Sequence, residues 1–297
     1  MIVSFAFLVK TVWNMKFDLS TIKHPFAATV EILIISLSFA VVVYISAFAW
    51  NLILQFLNGS KLPFNEIRSV YVKANIGKYL PGNVMHFAGR NVLGKKYGFS
   101  QWDMALSTII EVLTLLFTAC LWAIILAYGS FRHALLTLLK GSNIIIVELV
   151  IAAVVVLAAA AVFYAAKKGY LKKLRKLLSK KFLLLFIKLV LIYSVTLIVP
   201  GIFLAFIFFC VLGASLTSNA AVLIIAAYII SWALGYIVPG APGGIGVREM
   251  ALVLILGSVC TNQLTVVAIV LHRIASIFGD AIAFFAETLL TKNMMKG

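Results

Sequence analysis

Residues 182–212 read FLLLFIKLVLIYSVTLIVPGIFLAFIFFCVL, with Lys188 as the single charge. A run of ~20 apolar residues already crosses the hydrocarbon of a bilayer as a helix. The runs 26–56, 103–128, 143–166, 217–238 and 264–290 are of the same kind. Lipid offers no partner to backbone N–H and C=O groups, so only helices and closed barrels span it. Barrel strands alternate apolar and polar residues over ~10-residue segments, whereas these runs are continuous. The expected fold class is therefore an all-α polytopic membrane protein. Composition agrees: 64% of the 297 residues are hydrophobic and 11% charged, against about half and about a quarter in soluble domains. The mean hydropathy is +1.13.

Two shorter runs, 2–13 and 246–260, bring the total to about eight transmembrane or partial segments. At 1.5 Å per residue neither can span upright, so both are expected to be partial, tilted or re-entrant. The start, MIVSFAFLVKTVW, lacks a basic n-region and a small-residue cleavage site. It is expected to be a first membrane segment rather than a cleaved signal.

The net charge of +16 points to topology rather than nucleic acid, because Lys and Arg accumulate in cytoplasmic loops. The stretch 167–181, KKGYLKKLRKLLSKK, has eight basic residues and no acid. The stretch 57–102 carries Lys61, Arg68, Lys73, Lys78, Arg90, Lys95 and Lys96 against Glu66. Two segments separate these stretches, so both can be cytoplasmic, and both termini follow them. Arg68 is expected to be topogenic only. The chain reads as one membrane domain, 1–297, with 1–166 and 182–297 as two repeated halves joined by the basic linker 167–181.

The halves are suggested by an internal echo. GKYLPGNVMHFAGR (77–90) and GYIVPGAPGGIGVR (235–248) both read G-x-x-x-P-G, with an Arg eight residues after the second Gly. The six prolines and six arginines of the chain make such a match uncommon. Gly77, Pro81, Gly82, Gly235, Pro239, Gly240 and Pro242 are the expected hinges, since Pro and Gly break helices. Broken helices at a repeat interface form the substrate sites of many transporters. The charge distribution favours a parallel repeat and leaves an inverted one open. A helix start after PGAPGG would offer free N–H groups near Gly243 and Gly244 to an anion, and Arg90 and Arg248 could grip a phosphate bidentately.

Further charges fall inside the apolar runs: Glu31, Glu111, Glu148, Lys188, His272, Arg273, Asp280 and Glu287. Such residues face the bundle interior or water. Arg273, Asp280 and Glu287 recur every seven residues and so share one face of the last helix. Together with Glu111 they are expected to form a polar interior, through structural ion pairs or direct substrate contact. The histidines (His24, His86, His133, His272) and cysteines (Cys120, Cys210, Cys260) show no metal-ligand spacing. No Walker A pattern is present. No cofactor or metal is expected.

At NIGKYLPGNVMHFAGR (75–90) and PGAPGGIGVRE (239–249) the chain resembles the transmembrane, flippase-like domain of bacterial lysylphosphatidylglycerol synthases and the stand-alone proteins that share it. That resemblance implies a helical domain of about eight segments that moves lipids between leaflets, aminoacylated phosphatidylglycerol among them. After residue 290 only TKNMMKG remains, so lysyl transfer is not expected. The leading expectation is a lipid translocase for a phosphate-containing lipid, either an aminoacyl-phospholipid or a polyprenyl-phosphate-linked lipid. It would sit in the bacterial cytoplasmic membrane beside a separate lipid-synthesising enzyme. Arg90 and Arg248 would hold phosphate; His86, Asn83 and Glu249 would read the rest of the headgroup. Glu111, Asp280 and Glu249 would be available to a cationic headgroup. The alternatives are a lipid-modifying membrane enzyme, with His86 beside Arg90 as its best acid/base group, and an ion or small-solute carrier.

Overall fold

The computed structural model describes residues 25–59, 62–80, 84–127, 177, 179–214, 217–238, 241–257 and 262–294. Segments 2–13 and 143–166, Glu148 and most of the linker 167–181 lie outside them. The described residues fold into eight α-helices without a strand: α1 (Pro25–Asn58), α2 (Phe64–Asn75), α3 (Met85–Lys96), α4 (Gln101–Ala127), α5 (Lys180–Phe206), α6 (Ser218–Ile237), α7 (Val247–Leu256) and α8 (Asn262–Met294). Five of these, α1, α4, α5 with the π-turn Ile207–Val211 that extends it, α6 and α8, are long and apolar enough to cross a membrane. Each remaining helix has 12 residues or fewer. At 1.5 Å per residue that reaches about half of a ~30 Å hydrocarbon core. Segment 246–260 is accordingly a partial one.

Local sequence sets several boundaries. Ser179 caps α5, its side chain accepting from the Phe182 N–H at 3.2 Å, and Thr217 caps α6 through the Ala220 N–H. Both are ordinary N-cap residues that satisfy an orphan donor. Helix α1 lies against α8 at Gly279. A Cβ there would fall 2.6 Å from the Ser36 carbonyl, so only glycine lets the two backbones approach this closely.

Two apolar clusters fill the bundle. One joins α1, α2, α4 and α5 around Trp50, Ile53, Ile67, Met104 and Leu189. The other joins α5 to α8 around Leu204, Phe208, Ile224, Leu256 and Ala268, with Phe39 of α1 against it.

The stretch 57–102 differs most from expectation. Its described residues are more than a basic topology signal: α2, a 3₁₀ turn at Ile76–Tyr79 and α3 pack within the bundle. Helix α2 buries Ile67, Val70, Tyr71 and Ala74 on one face. Its polar side reaches the charged face of α8. Arg273, Asp280 and Glu287 are all buried there, and each is tied to a different short element: Arg273 to Glu249 of α7, Asp280 to Lys78 of the 3₁₀ turn, Glu287 to Arg68 of α2.

Arg68 is therefore not merely topogenic. Its Nε donates to Glu287 Oε2 at 2.9 Å, and Glu287 is fully buried with Oε1 unpartnered among the described residues. Removing Arg68 strands a buried carboxylate, which costs more than the about 1–3 kcal/mol of a neutral polar group left unpaired. Arg68→Ala should lower the unfolding temperature in detergent, and adding Glu287→Gln should restore part of the loss. An unchanged melting curve for Arg68→Ala would reject the pair as a structural tie.

Candidate functional site

The two echo motifs meet inside the bundle. A Cβ on Gly243 would touch the Tyr79 ring at 3.3 Å, so the turn before α7 lies directly on the turn before α3. Beside this contact is a cavity of about 170 Å³ to which all eight helices contribute. Its wall holds the cations Lys78, Arg90, Arg248 and Arg273 and the carboxylates Glu111, Glu249 and Asp280.

Three of the cations are neutralised in place. Arg90 Nη1 donates to Glu111 Oε2, and Tyr71 Oη donates to the other oxygen, Oε1, at 2.8 Å. The Arg90 guanidinium also lies 3.9 Å from the Tyr71 ring centroid and 5.2 Å from that of Trp50, within cation–π range. Lys78 Nζ lies 2.8 Å from Asp280 Oδ2 and 2.9 Å from Oδ1. Asn75 and Tyr79 donate to the same carboxylate. Arg273 Nε donates to Glu249 Oε1 at 2.8 Å, and its Nη2 donates to the Gly243 carbonyl at 2.7 Å.

Arg248 differs. Among the described residues it forms no ion pair, and its Nε is buried with no hydrogen-bond partner. Its guanidinium lies 5.7 Å from the Trp232 ring, which is itself stacked on Tyr236 at 4.7 Å. The glycines explain how it fits. A Cβ on Gly235 would overlap the Arg248 side chain, and one on Gly244 would fall 2.6 Å from Arg248 Nε. Gly244 also has φ +73, a conformation that suits glycine. The Arg248 side chain thus lies in a slot made by two absent side chains. Burial and the neighbouring Arg273 draw its pKa down to about 10, so it remains charged at neutral pH.

Gly77 occupies the equivalent motif position but does a different job. A Cβ there would fall 2.8 Å from the backbone N of His86, so Gly77 lets the 3₁₀ turn lie against the start of α3. His86 itself is buried, with Nδ1 unpartnered among the described residues. Burial, Arg90 and Lys78 push its pKa down to about 2, which keeps it neutral. On the far wall, His272 donates through Nε2 to the Pro200 carbonyl, 2.9 Å away.

Most of the sequence-derived candidates converge. Arg90, Arg248, Glu249, His86, Gly243, Glu111, Arg273 and Asp280 all line the cavity. Asn83 and the hinge residues Pro81, Gly82, Pro239 and Gly240 fall outside the described residues. Pro242 begins the 3₁₀ turn before α7. Two expectations about the backbone and the acids change. The Gly244 N–H is not free for an anion, because it closes the turn on the Ala241 carbonyl at 2.8 Å. Nor are the carboxylates free for a cationic headgroup. Glu111 and Asp280 are taken as described, and Glu249 accepts from Arg273 on Oε1 and from the Gly246 N–H at 2.6 Å on Oε2.

Sequence reading missed Tyr71, Asn75, Lys78 and Tyr79 as site residues, although their i, i+4, i+7, i+8 spacing marks one helical face. Treating 57–102 as a loop hid that face. Trp232 and Tyr236 carry no comparable signal, since every face of α6 is apolar.

Residues 1–283 match the family model described as "Lysylphosphatidylglycerol synthase TM region". No curated protein matches the chain. The match and the five long apolar helices make this an integral membrane protein.

Proposed function

This chain belongs to the family of the lysylphosphatidylglycerol synthase transmembrane region, and from that premise we propose that it is a lipid translocase for a lipid with a phosphate headgroup. Family membership supports a lipid-related function in the membrane. The observation that carries the finer reading is the charge balance of the cavity: four cations face three carboxylates, each already paired, and Arg248 alone is uncompensated among the described residues. A buried cation without a partner is costly, and a phosphate entering the cavity would relieve that cost.

The short helices supply the rest. They line the cavity between the long helices, a setting in which non-helical backbone would be tolerated within a bilayer. A phosphate could leave the interface, meet Arg248 between them and exit, while its acyl or prenyl tails stay in lipid. Transport requires binding strong enough to replace hydration and weak enough to release. One free guanidinium suits that better than four unpaired ones would. In this reading the chain lies in the bacterial cytoplasmic membrane with both termini cytoplasmic, and it receives its lipid from a separate synthesising enzyme.

The test is reconstitution into vesicles holding a labelled phospholipid or polyprenyl phosphate, with an impermeant quencher outside. Leaflet exchange well above that of protein-free vesicles is expected. If no such lipid binds or moves, the translocase reading fails.

A further inference from the structure

The family description names a lipid whose headgroup carries added lysine, yet among the described residues each cavity carboxylate is already paired with a cation. Resting on the lipid reading above, we infer that the site selects anionic phosphate headgroups and discriminates against headgroups that carry an ammonium group. Each cavity carboxylate that could meet an ammonium is occupied by at least two donors. Glu111 is taken by Arg90 and Tyr71, Asp280 by Lys78, Asn75 and Tyr79, and Glu249 by Arg273 and the Gly246 N–H. An incoming ammonium would therefore meet carboxylates whose charge is already balanced by Arg90, Lys78 and Arg273, and it would add an uncompensated positive charge to the cavity.

Repulsion acts in the same direction. Among the described residues Arg248 is the cation left to meet substrate; an ethanolamine ammonium, two carbons from the phosphate, arrives close to it, and the lysyl ester brings two ammonium groups on a longer tether. Like charges a few Å apart at a partly dehydrated site repel enough to change affinity by roughly tenfold or more. Two of the lining rings are already taken by cations, Trp232 by Arg248 and Tyr71 by Arg90. Among the described residues the cavity therefore offers an unpaired cation to a negative charge and no unpaired carboxylate to a positive one.

The experiment uses the full chain in neutral detergent and three lipids with identical short acyl tails: phosphatidylglycerol, phosphatidylethanolamine and the lysyl ester of phosphatidylglycerol. Their headgroups carry net charges near −1, 0 and +1. Binding is followed by tryptophan fluorescence and by native mass spectrometry. The expected order is phosphatidylglycerol tightest and the lysyl ester roughly tenfold or more weaker, with Arg248→Gln flattening the series. If the lysyl ester or the ethanolamine lipid binds as tightly as phosphatidylglycerol, the charge selection is wrong and the lipid reading stands. If none of the three binds, the lipid reading fails and the selection falls with it. The wild-type series decides among these outcomes even if the variant does not fold.

Discussion

Arg248→Ala should lose most lipid movement while leaving the fold intact, and Arg248→Lys should keep only part. Arg248 makes no ion pair among the described residues, so deleting it strands no carboxylate. Its slot between Gly235 and Gly244 would be left open to water in a polar cavity, a modest change for the packing. For a bound phosphate the loss is larger. Charge-assisted hydrogen bonds contribute about 1.5–3 kcal/mol each, or about tenfold to a hundredfold in affinity. Lysine retains the charge but not the planar fork that holds two phosphate oxygens. The measurement pairs leaflet exchange in vesicles with a melting curve in detergent. Normal exchange in Arg248→Ala would remove Arg248 from the site even if the protein is a translocase. A collapse of the melting curve would make it a structural residue instead.

Arg90→Ala should show the opposite pattern, a large loss of stability. Glu111 is 1% exposed and Arg90 3% exposed, and both carboxylate oxygens have donors. Removing one partner of a buried pair costs about 3–5 kcal/mol, whereas replacing both with apolar groups of similar volume is often neutral. Arg90→Met with Glu111→Leu should therefore recover much of the folded population that Arg90→Ala loses, as measured by thermal unfolding and by yield of monodisperse protein. Lipid movement in the double variant then separates two roles for Arg90. If the double variant is stable and active, Arg90 is a structural tie. If it is stable and inactive, Arg90 also touches the headgroup. If Arg90→Ala melts like the wild type, the pair does not hold the fold.

The two arginines were alike in the sequence, each eight residues after a Pro-Gly. They differ because of what lies across from them. Each lies over a tryptophan, but Glu111 projects from α4 onto Arg90, whereas no carboxylate among the described residues pairs with Arg248 and glycines stand on either side of it. No spacing rule within either motif contains that information. The same holds for Arg68, which reads as one more basic residue in a charged stretch until Glu287, more than two hundred residues away, is found against it.

What the sequence determined by itself was whatever one segment fixes alone. The length of an apolar run fixes a membrane-crossing helix, because the bilayer sets a length and lipid forbids unpaired backbone. Helix α6 ends just before the second Pro-Gly motif, although Pro200-Gly201 lies within α5. A seven-residue spacing of charges fixes one polar face on α8. The family motifs follow from the same local strings. Tertiary structure alone decided which charges cancel. An ion pair is a relation between two elements at a distance of a few Å, and in a dehydrated bundle that distance determines whether a cation is a tie or a binding group. Four cations thus became, among the described residues, three neutralised partners and one free guanidinium.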